Sequence, residues 1–389
     1  MHSVIFYCPD RHIVYDGRTP IERGVGGGIT QRVRMARALA QLGHHVTAVV
    51  NCPRREVIDG VQYLPLGDTA ELRADVLIAN TSGGAYDLSE IAEMTLDVRL
   101  CIVRTMGTAQ PKGLEALRVD FIYPESNFAN RMVRDRWSLD GVKRFVAYAA
   151  VDEELFLEAE KDPPERDPYR MVYFSHPSKG LAAAKGVLRD LRRVDPRFHL
   201  AVFGGEALWG GTPSPSDGET AVEEFGLVAQ PALVRHLLGS SYSICLQSRQ
   251  EPFGMVVTES MRAGLVVLAS PVGAYPELIQ HGKNGFLLDG DPDSAETWMQ
   301  AATLIHQLHS RPEESHEIRK RARRVPWSTA RMARVWTEHW AWWFAGGQPG
   351  QELPCQVCGG SRLRLSDGLH CLDCGNYQCD SLVWEGEPA

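Results

Sequence analysis

Apolar residues along this chain fall into short continuous runs separated by stretches of helical period. SVIFYCP, HVTAVVN, ADVLIAN, RLCIVRT and DFIYPES, all before residue 127, each read as a buried strand. ITQRVRMARALAQLG places Ile29, Val33, Ala36 and Ala40 on one face and stops at Gly43, which predicts a helix. Continuous apolar strands alternating with amphipathic helices point to a parallel sheet covered on both faces.

A polar, proline-rich stretch, EAEKDPPERDPYR at 158–170, interrupts this pattern. A second series follows, with MVYFSH, FHLAVFGG, SYSICLQS, LVVLASP and GFLLDG as strands and helices between them. The expected fold class is α/β: two doubly wound, Rossmann-like domains facing a cleft, with ligands at the carboxyl ends of the strands. The expected boundaries are 1–160, 161–327, a closing helix at 328–345, a linker at 346–354 and a small module at 355–389. The closing segment carries Trp336, Trp340, Trp342, Trp343 and Phe344, a stripe that reads as core before it reads as a membrane-facing surface.

Composition narrows the partners. A net charge of −8 offers no global attraction for nucleic acid, and none is expected as a partner. MHSVIFYCPD lacks a basic n-region, and no apolar run approaches the ~18 residues of a membrane span. Cys8, Cys52, Cys101 and Cys245 lie scattered in apolar segments and read as reduced core residues. The expectation is a cytoplasmic protein, with peripheral membrane association left open.

The remaining five cysteines crowd into 355–379. Cys355, Cys358, Cys371 and Cys374 form two C-x2-C knuckles twelve residues apart, a spacing that brings four thiolates into tetrahedral reach. Zinc is the expected metal, with rubredoxin-like iron as the alternative. The set leaves no open position, so the expected role is structural. Cys379 and His370 lie close by as spare ligands, and homo-oligomerisation through the module is left open.

Three loops carry candidate chemistry. GVGGGIT at 24–30 opens directly into a helix, an arrangement that lets backbone N–H groups approach an anion. It lacks the dinucleotide fingerprint, because the first strand ends far upstream. YFSHPSKGL runs a strand into a turn bearing Ser175, His176 and Lys179, and a lysine there suits a diphosphate. In QSRQEPFGMVVTESMRAG, Glu251 precedes the Gly254 turn and Glu259 falls on the following helix. A carboxylate can accept from two vicinal hydroxyls, so the pair suits sugar recognition. A flexible loop, a surface lysine and a buried glutamate are the plain alternatives.

In that order, GGGI with LGHHV behind it, PES at 124–126, VDEELF, SKGL, EPFGMVVTE, SPVGAYPELI and NGFLL resemble glycosyltransferase family 4 over residues 1 to about 345. The resemblance implies the two-domain GT-B fold, with the last helix crossing back onto the first domain, and sugar transfer with retention from a nucleoside diphosphate sugar. Gly27 and Gly28 would then face the diphosphate or the acceptor, and Lys179 would hold the phosphates. Glu251 would bind the transferred sugar, beside Phe253, Gly254 and Met255, with Phe253 and Gly254 offering backbone amides. Glu259 would bind the ribose. No Asp-x-Asp motif serves the phosphates, so no catalytic metal is expected.

The chain also departs from the family pattern. The histidine common after the ADVLI strand is replaced by Asn80, Thr81 and Ser82, and Ser175 and His176 stand where an arginine is usual. The acceptor stays open among saccharides, lipid-linked molecules and small molecules. Two other functions fit the same motifs: a catalytically weak sugar-nucleotide-binding protein whose zinc module recruits partners, and a sugar-nucleotide epimerase.

Overall fold

The computed structural model describes residues 1–81, 86–139, 141–212, 218–348 and 354–380. Ser82 and linker residues 349–353 lie outside them. The chain forms two compact units: Met1–Arg18, Gly27–Ala150 and Pro326–Ala389 make the first, Thr19–Gly26 and Val151–Val325 the second.

The first unit is built on an eight-stranded sheet. Its strands are β1 (Ser3–Tyr7), β2 (His45–Val50), β3 (Glu56–Ile58), β4 (Val61–Pro65), β5 (Glu71–Ala79), β6 (Thr95–Arg104), β7 (Phe121–Tyr123) and β8 (Lys143–Arg144). Their order is β3-β4-β2-β1-β5-β6-β7-β8. All pairs are parallel except the β3–β4 hairpin. The sequence reading missed that hairpin, whose turn is Asp59-Gly60 with both φ angles positive (50° and 79°). Asp-Gly is the dipeptide such a turn favours, so the signal was there.

The predicted first helix spans Gly27–Gln41, and the closing helix spans Thr329–Phe344, capped by Ser328 accepting from the Arg331 N–H. Trp336 and Trp340 are fully buried. Trp336 stacks on Phe6 with ring centroids 6.5 Å apart and meets Tyr123 edge-on at 5.4 Å. Trp336 and Trp340 are therefore core of the first unit, while Trp342, Trp343 and Phe344 are half-buried.

The second unit holds β9 (Arg170–Ser175), β10 (His199–Gly204), β11 (Val222–Gly226), β12 (Tyr242–Cys245), β13 (Val266–Ala269) and β14 (Phe286–Leu287). They pair in parallel in the order β11-β10-β9-β12-β13-β14. Successive residues of β9 serve opposite faces: Met171 and Tyr173 join one apolar cluster, Val172 and Phe174 the other. That two-sided burial is why these strands read as unbroken apolar runs. The helix Glu153–Ala159 packs here as well, and Arg262 clamps it, 2.7 Å from Glu153 and 2.8 Å from Glu160. Hydrogen bonds from Arg262 hold the Glu160 carboxyl below its ordinary value of 4.5.

The tail forms an antiparallel sheet of β15 (Arg362–Leu365), β16 (Gly368–Cys371) and β17 (Tyr377–Cys379). Although a linker precedes it, the tail docks firmly on the first unit. Asn127 exchanges two 2.8 Å hydrogen bonds with the Tyr377 backbone, and Asn130 donates to the Cys374 carbonyl at 2.9 Å. Phe145 is sandwiched between His339 at 3.9 Å and His370 at 4.3 Å, and Tyr377 stacks on the outer face of His370. Aromatic residues from both sides share one stack, which the sequence spacing could not reveal.

Candidate functional site

In the second sheet the strand order reverses between β9 and β12, and the loops leaving these two strands carry the predicted donor residues. This is the switch point at which parallel sheets of this kind bind ligands. After β9 the chain passes Ser175 and His176, makes one 3-10 turn over Pro177–Lys179, and enters the helix Leu181–Val194 through Gly180. Gly180 has φ +100°, and a Cβ there would sit 1.9 Å from the Leu246 carbonyl. Only glycine lets the two loops approach this closely.

The result is one contact between the two loops: Lys179 Nζ lies 2.7 Å from Glu251 Oε1, with both side chains largely shielded. The Glu251 backbone is pinned from a third loop, because the Ala274 N–H donates to its carbonyl at 3.0 Å. Gly273 packs so close that a Cβ would stand 2.2 Å from that same oxygen. Phe253 is buried. Gly254, at φ +108°, starts the helix Met255–Arg262, where Met255 is half-buried and Glu259 is buried. The structure thus gathers Lys179, Glu251, Phe253, Gly254, Met255 and Glu259 on adjoining segments of the second unit.

Ser175 ends β9, half-buried. His176 turns toward a group that the sequence reading missed. Its Nε2 is 2.8 Å from Glu206 Oε2, its Nδ1 is 2.8 Å from Ser178 Oγ, and its ring lies flat on Trp209 at 3.6 Å. Arg249 Nη1 donates to Ser178 Oγ at 3.0 Å, and its guanidinium stands 5.3 Å from the Trp209 centroid. Lys179 Nζ is 5.6 Å from the same ring. Two cations therefore border this aromatic platform where the sequence offered only Lys179. Glu206 and Trp209 follow Gly204-Gly205 at the carboxyl end of β10, and that position is the signal that would have found them.

Gly27, Gly28 and Asn80 belong to the first unit. Gly27 is exposed and Gly28 half-buried at the start of their helix. Asn80 follows β5 and is buried, accepting on Oδ1 from Arg32 Nε at 3.0 Å.

The four cysteine sulfurs of the tail all lie within 4.8 Å of one another. Cys355 and Cys374 are 3.8 Å apart, and Cys358 and Cys371 are 3.5 Å apart. A tetrahedral zinc ion with Zn–S near 2.3 Å needs edges of about 3.8 Å, so the set fits a metal. Backbone N–H groups of Val357, Gly360 and Cys374 point at the sulfurs of Cys355, Cys358 and Cys371, each at 3.4 Å, as thiolates require. Cys379 stands outside the set, and His370 Nε2 is engaged with Asp367 at 3.0 Å.

Residues 171–325, which hold the whole Lys179–Glu251–Glu259 array, match the family model described as Glycosyl transferases group 1. This stretch is similar to a glycosyltransferase group 1 domain over about two fifths of the chain. Among curated relatives, the sulfoquinovosyl transferase of Arabidopsis thaliana is 32% identical over 46% of this chain and 34% of its own length. The N-acetyl-alpha-D-glucosaminyl L-malate synthase of Bacillus anthracis is 34% identical over 21% of this chain and 23% of its own. The D-inositol 3-phosphate glycosyltransferase of Thermobispora bispora is 23% identical over 80% and 90%. The chain spans about a quarter to a third of the first curated relatives it matches. Their names and the glycosyltransferase domain together support a transferase.

Among solved structures, sucrose-phosphate synthase from Thermosynechococcus elongatus aligns with TM-score 0.65 at 15% identity, covering 88% of this chain and 99% of its own. Anabaena HepE, in complex with UDP and glucose, aligns with TM-score 0.58 at 16% identity, covering 88% and 100%. These likenesses establish the GT-B fold that the sequence implied.

Proposed function

We propose that the protein transfers a sugar, with retention, from a nucleoside diphosphate sugar to an acceptor bound by the first unit. The observation that carries this reading is the 2.7 Å contact between Lys179 and Glu251 at the switch point of the second sheet. In the free protein the two side chains neutralise each other. A diphosphate carries more charge than one carboxylate and takes the ammonium for itself. Glu251 is then released to accept hydrogen bonds from hydroxyls of the transferred sugar. Arg249 supplies a second cation to the leaving diphosphate, and Phe253 and Gly254 offer backbone amides. Glu259 reads the ribose, and Ser175 and His176 line the phosphate turn.

Attack comes from the face the diphosphate leaves, and the departing phosphate takes the acceptor's proton. The protein's part is to orient the two reactants and stabilise the leaving charge, without a catalytic metal. Gly27, Gly28 and Asn80 serve the acceptor side. Zinc on Cys355, Cys358, Cys371 and Cys374 is structural in this reading. Among the described residues no helix is long and apolar enough to cross a membrane, and the buried free thiols Cys8, Cys52, Cys101 and Cys245 fit a reducing compartment such as the cytoplasm.

HepE binds UDP and UDP-glucose, so UDP sugars are the first donors to try. The test is product analysis by NMR after incubation with UDP sugars. An α-linked donor should yield UDP and an α-configured product. A β product would refute retention, and an isomerised UDP sugar formed without UDP release would support an epimerase instead.

A further inference from the structure

The first sheet also reverses its strand order, between β1 and β5, and a second cluster occupies that point. The Asn80 N–H donates to the Tyr7 carbonyl at 3.1 Å, so the residue bridges the ends of both strands. Arg32 donates from Nε to Asn80 Oδ1 at 3.0 Å and from Nη1 to the Tyr15 hydroxyl at 2.5 Å. Arg32, Asn80 and Tyr15 are 3%, 2% and 2% exposed, so water does not level these interactions.

A guanidinium has five donors and no acceptor, and this fixes the chemistry of both partners. Asn80 must turn its carbonyl oxygen to Arg32, which aims its NH2 group elsewhere. The Tyr15 hydroxyl oxygen must accept a hydrogen bond from Arg32, which leaves its own O–H for another acceptor. Among the described residues Arg32 Nη2 is buried and has no partner. Asp10 contributes a compensating field, but among the described residues Arg32 makes no ion pair. The cluster is therefore rich in donors and positively charged, and among the described residues no carboxylate is paired with Arg32.

We propose that this cluster binds a carboxylate or phosphate group of the acceptor. Asn80 Nδ2 donates directly to the anionic oxygen. Arg32 is the positioning residue that fixes the amide and supplies the charge behind it. The word acceptor rests on the transferase reading, and the inference names the chemical class of that acceptor.

Asn80→Asp separates this proposal from simple structural damage. The variant keeps an oxygen toward Arg32, so it should unfold at or above the parent's urea midpoint, and above that of Asn80→Ala. It replaces the outward NH2 with an oxygen that repels an anion. The measurement is calorimetric titration of the full-length protein with L-malate, inorganic phosphate and neutral glycerol. The parent should bind malate or phosphate but not glycerol, and the anion that binds identifies the group. Asn80→Asp should bind that anion roughly 10-fold more weakly or worse, as loss of a charge-assisted hydrogen bond implies. Lys179→Ala should bind it as the parent does.

No binding of either anion by the parent, or equal binding by Asn80→Asp, overturns the proposal. So does loss of binding in Lys179→Ala, which would assign the anion to the second unit. Asn80→Asp less stable than Asn80→Ala would show that the oxygen does not face Arg32. Failure of every nucleoside diphosphate sugar to bind would sink the transferase reading alone and leave this anion site standing.

Discussion

Removing the tail after Gly347 should destabilise the first unit. The cut deletes both Asn127 hydrogen bonds to Tyr377 and the Asn130 bond to Cys374. It also deletes the Arg331 bond to the Ser366 carbonyl at 3.2 Å and the Ser366 N–H bond to Glu338 at 2.8 Å. At roughly 1 kcal/mol net each, these amount to several kcal/mol. The larger loss is Phe145 and Tyr148, now 2% and 3% exposed, which would lose His370 and Tyr377 from their faces. Re-exposing part of two aromatic side chains costs about 1–3 kcal/mol apiece. The total, on the order of 10 kcal/mol, matches the whole margin of an ordinary domain. Because the docking strands β16 and β17 are tied together by the cysteine knuckles, removing a metal bound there, or replacing the four cysteines with serine, should act in the same direction as truncation. Urea unfolding followed by hydrogen exchange in each unit is the assay. Exchange should rise in β6–β8 and the closing helix, while β9–β13 stays protected. Unchanged midpoints and protection in the truncated chain would refute the reasoning and return the tail to a tethered, independent module.

Three further outcomes follow from the second unit. Under the proposed ribose-binding role, Glu259→Ala should weaken nucleoside diphosphate binding by roughly 1–3 kcal/mol, the cost of lost charged hydrogen bonds, measured by calorimetry. If Glu251 contacts the transferred sugar as proposed, Glu251→Ala should lower turnover more than it lowers affinity for the bare diphosphate; equal turnover would sink that role. The Arg262–Glu160 bond depresses the Glu160 pKa, so its stabilisation is present above 4.5 and is lost as pH falls through the lower folded-state value. The urea midpoint of the second unit should fall over that acid range, and Arg262→Met should flatten the decline.

The legibility of this chain varied with the physics. Strands such as β9 and β12 were plain because burial on both faces makes every residue apolar. β3, β4 and β11 lie toward the sheet edges and mix polar with apolar positions, so their runs did not stand out. The loops with Lys179, Glu251 and Glu259 were legible because tight backbone approaches demand glycine at 180, 254 and 273. Arg249, Trp209 and Glu206 were not, because ring stacking and a side-chain bond join segments about 30 residues or more apart in the chain. Arg32 was hidden for the same reason, since its partners Asn80 and Tyr15 come from other segments. The four-cysteine cluster was evident from spacing, whereas the seat of its module was not.

The central claim is that Lys179 gives up Glu251 to hold the diphosphate of a sugar nucleotide. The most direct test is the thermal midpoint of the full-length protein and of Lys179→Ala with nucleoside diphosphates and their sugars. Ligand at about 100 times its dissociation constant adds about 2.7 kcal/mol to the native state and shifts the midpoint clearly upward. The account predicts such a shift in the parent for at least one nucleotide, loss of most of it in Lys179→Ala, and a fall in turnover on the order of 10²-fold or more. An equal shift and equal turnover in Lys179→Ala would contradict it.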